Sequence, residues 1–178
     1  AFEEYKSSYP WGEYNLVAMS EEGEPYIGNY VEIDYDDYSL LYITTSVYPA
    51  ECMVKCAKRP TTPTSITIPS TVEIEGLEYS VTSFGNRIFY NCDNLTSIEI
   101  PSSITSIVDD AFYECSNLKT VTIGDNSQLT SIGRNAFYYC RNLTSIEIPS
   151  SVTSIGDDAF YECSNLTSVT FGDNSQLT

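Results

Sequence analysis

Residues 100–118 of this 178-residue chain read Ile-Pro-Ser-Ser-Ile-Thr-Ser-Ile-Val-Asp-Asp-Ala-Phe-Tyr-Glu-Cys-Ser-Asn-Leu, and they return almost unchanged at 148–166. The 48-residue offset holds two units, since Pro101 to Gly124 is 23 residues and Gly124 to Pro149 is 25. A unit this short cannot bury its own apolar side. Stacking copies against one another does bury it, so a fixed period of this size predicts a solenoid in which each repeat touches only its neighbours.

Each unit reads Leu-x-x-Ile/Val-x-Ile/Phe, a Pro or Gly, then Ile/Val-x-x-Ile-Gly-x-x-Ala-Phe-x-x-Cys-x-x-Leu. Leu143-Thr144-Ser145-Ile146-Glu147-Ile148 ends in polar–apolar alternation, the mark of a half-buried strand, and Pro149 or Gly124 stops it. Ala159-Phe160, Cys163 and Leu166 are spaced by three and four, which predicts a single helical or 3₁₀ turn. Stacking then sets Ile146 over Val121, Phe160 over Phe137 and Cys163 over Cys140. An earlier unit runs from Ile66-Thr67-Ile68-Pro69 through an insertion at 73–80 to Phe89-Tyr90-Asn91-Cys92. The count is about four repeats, with a fifth cut off at Gln176-Leu177-Thr178.

The run Ile-Pro-Ser-Ser-Val-Thr-Ser-Ile-Gly-Asp-Asp-Ala-Phe-Tyr-Glu-Cys-Ser-Asn-Leu-Thr-Ser-Val resembles the BspA-like leucine-rich repeat family over about residues 64–178. The resemblance implies a leucine-rich-repeat solenoid, a parallel β-rich superhelix, exposed on the surface of a host-associated microbe and engaged in adhesion to host proteins or to other cells. A fold hosts many functions, so the ligand has to be argued from exposed side chains.

Residues 1–60 lack the repeat. They are acidic and Tyr-rich, contain Trp11, and suggest strands at Val31-Glu32-Ile33-Asp34-Tyr35, at Leu40-Leu41-Tyr42-Ile43-Thr44 and at Cys52-Met53-Val54-Lys55-Cys56. Asp36-Asp37 reads as a turn, and Thr61-Thr62-Pro63-Thr64 as a connection into the repeats at 61–178. A solenoid end exposes core and open strand edge, so the economical role of 1–60 is a small β-rich N-terminal cap, with a separate binding module as the alternative. At the other end Thr178 falls in mid-repeat, which leaves the last rung uncapped and raises end-to-end self-association as an expectation.

The balance of 25 acidic against 8 basic groups, a formal charge of −17, disfavours nucleic acid and anionic lipid, whose binding rests on Lys and Arg. It keeps an exported protein soluble and suits a basic protein patch. No apolar run reaches the roughly 20 residues of a transmembrane span, and Ala1-Phe2-Glu3-Glu4 is not a signal peptide. An extracellular or cell-surface location therefore requires a leader outside this sequence.

Cys92, Cys115, Cys140 and Cys163 keep the repeat spacing of 23, 25 and 23. Their Cβ vectors run parallel, so a ladder of buried thiols is expected rather than disulfides, and ligands strung along a line do not surround a zinc ion. Cys52 and Cys56 are read as core or cap residues. With no histidine in the chain, the Ser-His and Cys-His pairs are excluded, and a carboxylate-dependent hydrolase using Asp109-Asp110 or Asp157-Asp158 is the surviving enzymatic option. Both pairs sit at the same repeat position, where solvated turn residues are the simpler reading. Gly124-Asp125-Asn126-Ser127 lacks the further carboxylates of a calcium loop. The chain is thus read as a non-enzyme with no metal and no cofactor. The positions before Ala-Phe alternate basic and acidic, Asn86-Arg87, Asp109-Asp110, Arg134-Asn135, Asp157-Asp158, which sets Arg134 between acidic rungs.

Two surfaces are candidates for binding a protein ligand such as host matrix or another cell surface. One is the exposed strand face, Ser97, Glu99, Thr120, Thr122, Ser145, Glu147, Ser168 and Thr170. The other is an aromatic edge on the turn after Phe, formed by Tyr90, Tyr113, Tyr138, Tyr139 and Tyr161. The sequence does not choose between them. The alternative from another class is a structural spacer within a longer surface protein.

Overall fold

The computed structural model describes residues 28–35, 38–46, 49–58, 61 and 64–177. The readings of Trp11, of the Asp36-Asp37 turn and of Thr62-Pro63 lie outside those residues. The first three strands are β1 (Tyr30–Tyr35), β2 (Tyr38–Ser46) and β3 (Glu51–Lys58), followed by β4 (Thr64–Thr67), β5 (Thr71–Ile74) and β6 (Leu77–Phe84). From there the repeats supply strands in a regular order. These are β7 (Leu95–Ile100), β8 (Ser106–Ile107), β9 (Thr120–Ile123), β10 (Ser131–Ile132), β11 (Ser145–Ile148), β12 (Ser154–Ile155) and β13 (Ser168–Phe171).

Two parallel sheets form the solenoid walls, in the orders β4-β7-β9-β11-β13 and β8-β10-β12. A third sheet, β1-β2-β3-β6-β5, is antiparallel except where β3 runs parallel to β6. That pairing joins the first strands to the repeats, and one apolar core runs from Tyr38, Leu40 and Tyr42 through to Cys163. Alternation does what the sequence predicts: Ile98 and Ile100 point in while Glu99 points out, and Ile146 and Ile148 flank Glu147 in the same way.

The turn around Ala-Phe is not helical, contrary to the sequence expectation, and the hydrogen bonds show why. In one rung Ala111, Tyr113 and Cys115 donate N–H to the carbonyls three residues back, at 3.3, 3.2 and 3.1 Å. The intervening Asp110, Phe112 and Glu114 donate instead to Arg134, Ala136 and Tyr138 of the next rung, at 3.0, 2.8 and 2.8 Å. Half the donors that a helix needs are therefore spent sideways, and the chain advances as linked β-turns. Left-handed residues at each rung complete the break, with φ of 55° at Asp110 and 58° at Glu114. The spacing of three and four was real, but it reports turns that stack, not turns that wind.

Each rung's Phe lies on the next. Phe89, Phe112, Phe137 and Phe160 form a column with centroids 5.4, 5.0 and 5.3 Å apart and near-parallel planes. The cysteines form a second column as free thiols. Cys115, Cys140 and Cys163 donate S–H to the carbonyls of Phe89, Phe112 and Phe137, at 2.9, 3.2 and 3.1 Å. These bonds run along the solenoid axis, so each thiol ties its rung to the one before. An asparagine ladder does the same on the outside. Asn117 Nδ2 donates to the Asp93 carbonyl at 2.8 Å and Asn142 Nδ2 to the Ser116 carbonyl at 2.9 Å.

The rungs are not equally closed. Gly124 and Gly172 donate N–H to the carbonyls of Ile100 and Ile148, each at 2.9 Å, which seals β7 to β9 and β11 to β13 at their ends. A Cβ on Gly124 would lie 2.9 Å from the Ser102 nitrogen, so glycine is what permits this approach. Pro149, at the end of β11, has no N–H to give Ile123. There β11 meets β9 at Ser145↔Thr120 alone, against four register positions at each sealed pair. A shallow depression of about 400 Å³ lies over this seam, lined by Thr122, Asp125, Ser145, Glu147 and Ser150.

Candidate functional site

The strand-face residues come together as expected, in two rows crossing the sheet. Ser97 pairs in register with Thr120, Thr120 with Ser145 and Ser145 with Ser168. Glu99 lies beside Thr122, and Glu147 beside Thr170. All are exposed except Ser97, which is half-buried. At the first strands of this sheet the side chains bond to each other, Ser97 Oγ to Ser65 Oγ at 2.7 Å and Thr67 Oγ1 to Glu99 Oε2 at 3.0 Å. The face is flat, small and polar, and it offers no aromatic anchor.

The tyrosine edge is more organised than its sequence pattern indicates. Tyr90, Tyr113, Tyr138 and Tyr161 stack ring on ring, with centroid separations of 5.1, 4.8 and 4.9 Å and interplanar angles of 5°, 3° and 16°. Tyr139 stands edge-on to Tyr138 at 4.6 Å and to Tyr161 at 6.1 Å. The column follows from the fold, because the residue after each stacked Phe is carried to the outside at the same height on every rung. Two arginines cover aromatic faces there, Arg87 over Tyr90 at 5.1 Å and Arg141 over Tyr139 at 4.8 Å. Tyr90, Tyr113, Tyr138 and Tyr139 are half-buried and Tyr161 is exposed. Burial, then Glu114 and Tyr90, pushes the Tyr113 phenol above its ordinary range; burial, then Tyr139 and Tyr113, does the same for Tyr138.

Tyr139 has φ of 58°. Its counterparts on the other rungs are Asn91, Glu114 and Glu162, also left-handed. Asn tolerates that region and a bulky aromatic does not, so Tyr139 is the strained member of the set. Sequence reading placed Tyr139 on this edge but had no means to see its backbone; the signal was the departure from Asn or Glu at one repeat position.

Of the two aspartate pairs, Asp109-Asp110 fastens neighbouring rungs, while Asp157 and Asp158 are exposed. Asp110 is buried and accepts from Arg87 Nε at 3.1 Å, from Arg87 Nη2 at 3.0 Å and from Asn135 Nδ2 at 3.1 Å. Asp109 Oδ1 accepts the backbone N–H of Arg134 at 2.7 Å. The alternating charge pattern thus resolves differently from the expectation. Among the described residues the ion pair is Arg87 with Asp110, while the Arg134 side chain is exposed and makes none, because Asp109 is engaged by the Arg134 main chain. Among the described residues no group of three or more Cys, Asp or Glu is arranged to hold a metal ion.

A family model for the BspA type leucine-rich repeat region matches residues 82–178 in six copies. The chain belongs to the BspA-type leucine-rich repeat family. Solved structures agree. The pneumococcal vaccine antigen PcpA is similar at 25% identity and a TM-score of 0.64 over 86% of this chain and 40% of that one. A leucine rich cell surface protein from Faecalibacterium prausnitzii is similar at 31% identity and a TM-score of 0.57, over 81% and 43%. A leucine-rich repeat protein from Bacteroides capillosus is similar at 25% identity and a TM-score of 0.60, over 79% and 97%. This BspA-type chain therefore spans less than half the length of the first two. No curated protein matches it. Members of this repeat class are interaction modules in general, and among the described residues no helix is long and apolar enough to cross a membrane.

Proposed function

We propose that this chain is a binding module displayed at a cell surface, and that it attaches to a protein ligand, as an adhesin does, through its tyrosine edge. The observation that carries this reading is the column Tyr90–Tyr113–Tyr138–Tyr161, stacked at about one rung spacing and half-open to solvent. Tyrosine presents large contact area with few torsions to freeze, and it dominates protein hot spots. Tyr139, edge-on to Tyr138 and covered by Arg141, widens the aromatic surface at this edge. The two relatives described as a vaccine antigen and a cell surface protein favour a surface location. In this reading residues 1–60 act as the N-terminal cap.

A panel of immobilised host matrix and plasma proteins, at two salt concentrations, tests it. Saturable binding to one component is expected, weakened at least tenfold by Tyr139→Asn, which installs the residue that Asn91 supplies at the equivalent position, and unaffected by Thr122→Ala on the strand face. The reverse pattern would move the site to the strand face. The spacer reading draws support from the strand-face bonds that join rung to rung, and it expects no saturable partner at all. Val169 and Phe171 on β13 are 40% and 48% exposed, so light scattering over a range of concentrations tests whether this end self-associates.

A further inference from the structure

We propose that the tyrosine column is an oxidative cross-linking site, at which a one-electron oxidant of the peroxidase and hydrogen peroxide class joins Tyr113 to Tyr138 within one chain. The geometry supplies what coupling needs. Tyr113 and Tyr138 are the closest and most parallel pair of the column, 4.8 Å between centroids and 3° between planes. Both phenols are half-open to solvent, so an oxidant reaches their edges without entering the core. The neighbouring ring is always present, whereas a second chain must diffuse, and a tethered partner outcompetes a free one at any dilute concentration. The thiols that would otherwise intercept radicals are held away. Cys115 and Cys140 are buried on the inner column and hydrogen-bonded to main-chain carbonyls, and a thiol in that state is a poor nucleophile and reductant.

Each phenol loses one electron and one proton and becomes a phenoxyl radical. The two radicals join at ring carbons ortho to oxygen, forming one carbon–carbon bond. The hydrogens on those carbons move to the oxygens and restore two phenols. The protein has lost two hydrogen atoms, and one hydrogen peroxide has been reduced to two waters. The product is a covalent strap between consecutive rungs, outside the core and independent of whether the edge also binds a partner.

Trypsin makes the test direct. Cleavage after Arg87, Lys119, Arg134 and Arg141 leaves Tyr113 in peptide 88–119 and Tyr138 in peptide 135–141. Dilute protein treated with peroxidase and limiting peroxide should remain monomeric, become two hydrogens lighter, gain dityrosine fluorescence and yield 88–119 linked to 135–141. Tyr138→Phe keeps the ring and the stack but removes the phenol, so the linked peptide should disappear, while Tyr30→Phe, away from the column, should leave it intact. Unfolding in urea before oxidation should also abolish it. Dityrosine found only in dimers whose yield rises with concentration, or only between other tyrosines such as Tyr35 and Tyr38, would overturn the proposal, as would persistence of the link in Tyr138→Phe.

Discussion

Truncating Phe137 to alanine separates the two contributions that hold the rungs together. Phe137 is fully buried between Phe112 at 5.0 Å and Phe160 at 5.3 Å, with both rings nearly parallel to it. Removing a buried Phe costs about 3–5 kcal/mol. Each aromatic pair contributes about 0.5–1.5 kcal/mol beyond its buried area, so the two stacks account for about 1–3 kcal/mol of that loss. Phe137→Leu keeps most of the volume and apolar area but neither stack, and should cost about 1–3 kcal/mol. Phe160→Ala provides the internal control. It occupies the same repeat position but is half-buried and has one stacking partner, so about half the Phe137 cost is expected. With a urea slope of about 2 kcal/mol/M, Phe137→Ala should lower the unfolding midpoint by about 2 M, followed by far-UV circular dichroism. A fall in the slope as well would show that the rungs beyond Phe137 unfold separately, as nearest-neighbour coupling in a solenoid allows. Phe137→Leu as damaging as Phe137→Ala, or Phe160→Ala matching Phe137→Ala, would refute separate contributions from burial and stacking.

Burial raises the pKa of Cys163 to about 11 and that of Cys52 to about 12, and it pushes Cys115 and Cys140 up as well. An acid whose folded pKa is raised binds its proton more tightly when folded, so this stabilisation is complete below the ordinary thiol pKa of about 8.5 and is lost as pH rises through the folded values. Urea midpoints should decline between pH 8.5 and pH 11, less steeply in Cys140→Ala; an equally steep decline in that variant would place the effect elsewhere. Arg87→Glu should lower the melting temperature by about 3 °C, corresponding to about 1 kcal/mol for a pair whose arginine is 59% exposed, and Arg134→Glu should lower it less. The opposite order in calorimetry would return the charge ladder to Arg134. Pro149→Ala provides an N–H opposite the Ile123 carbonyl, and hydrogen exchange at that amide should slow to the rate of Gly172. Exchange at the rate of an open amide would show that the seam is not held open by the missing donor.

The period, the strand alternation and the columns of Phe and Cys were legible because each arises from local chemistry repeated at a constant spacing. A one-dimensional pattern then maps onto a one-dimensional stack. The helical turn was misjudged because spacing alone cannot tell which way a backbone N–H points, and the donors of Asp110, Phe112 and Glu114 point to the next rung. The Arg134 contact was misassigned for a related reason. Charge alternation fixes which rungs are neighbours but not whether a carboxylate meets a side chain or a main chain, and Asp109 met the main chain. At the candidate site, the membership of the tyrosine edge was readable, but its ring-on-ring order and the left-handed Tyr139 were not, since both depend on backbone dihedrals. The recurrent Asn-Leu at each repeat carried the asparagine ladder in plain view, as the outward neighbour of a core leucine.

The alternation of Gly124 with Pro149 gives this solenoid a rule of growth. The residue after β9 and after β13 is a glycine that donates its N–H to the strand before, whereas after β7 and β11 it is a proline that cannot, although β7 still pairs with β4 at four positions. The repeating unit is therefore the pair of rungs, and across the β9–β11 seam the rungs stay joined elsewhere, by Thr153, Gly156 and Phe137 N–H donating to Thr130, Ile132 and Ala159. Lengthening the wall by one rung would set two glycine-ended or two proline-ended strands side by side. Lengthening it by 48 residues preserves the glycine–proline alternation, and 48 is the offset at which 100–118 recurs as 148–166.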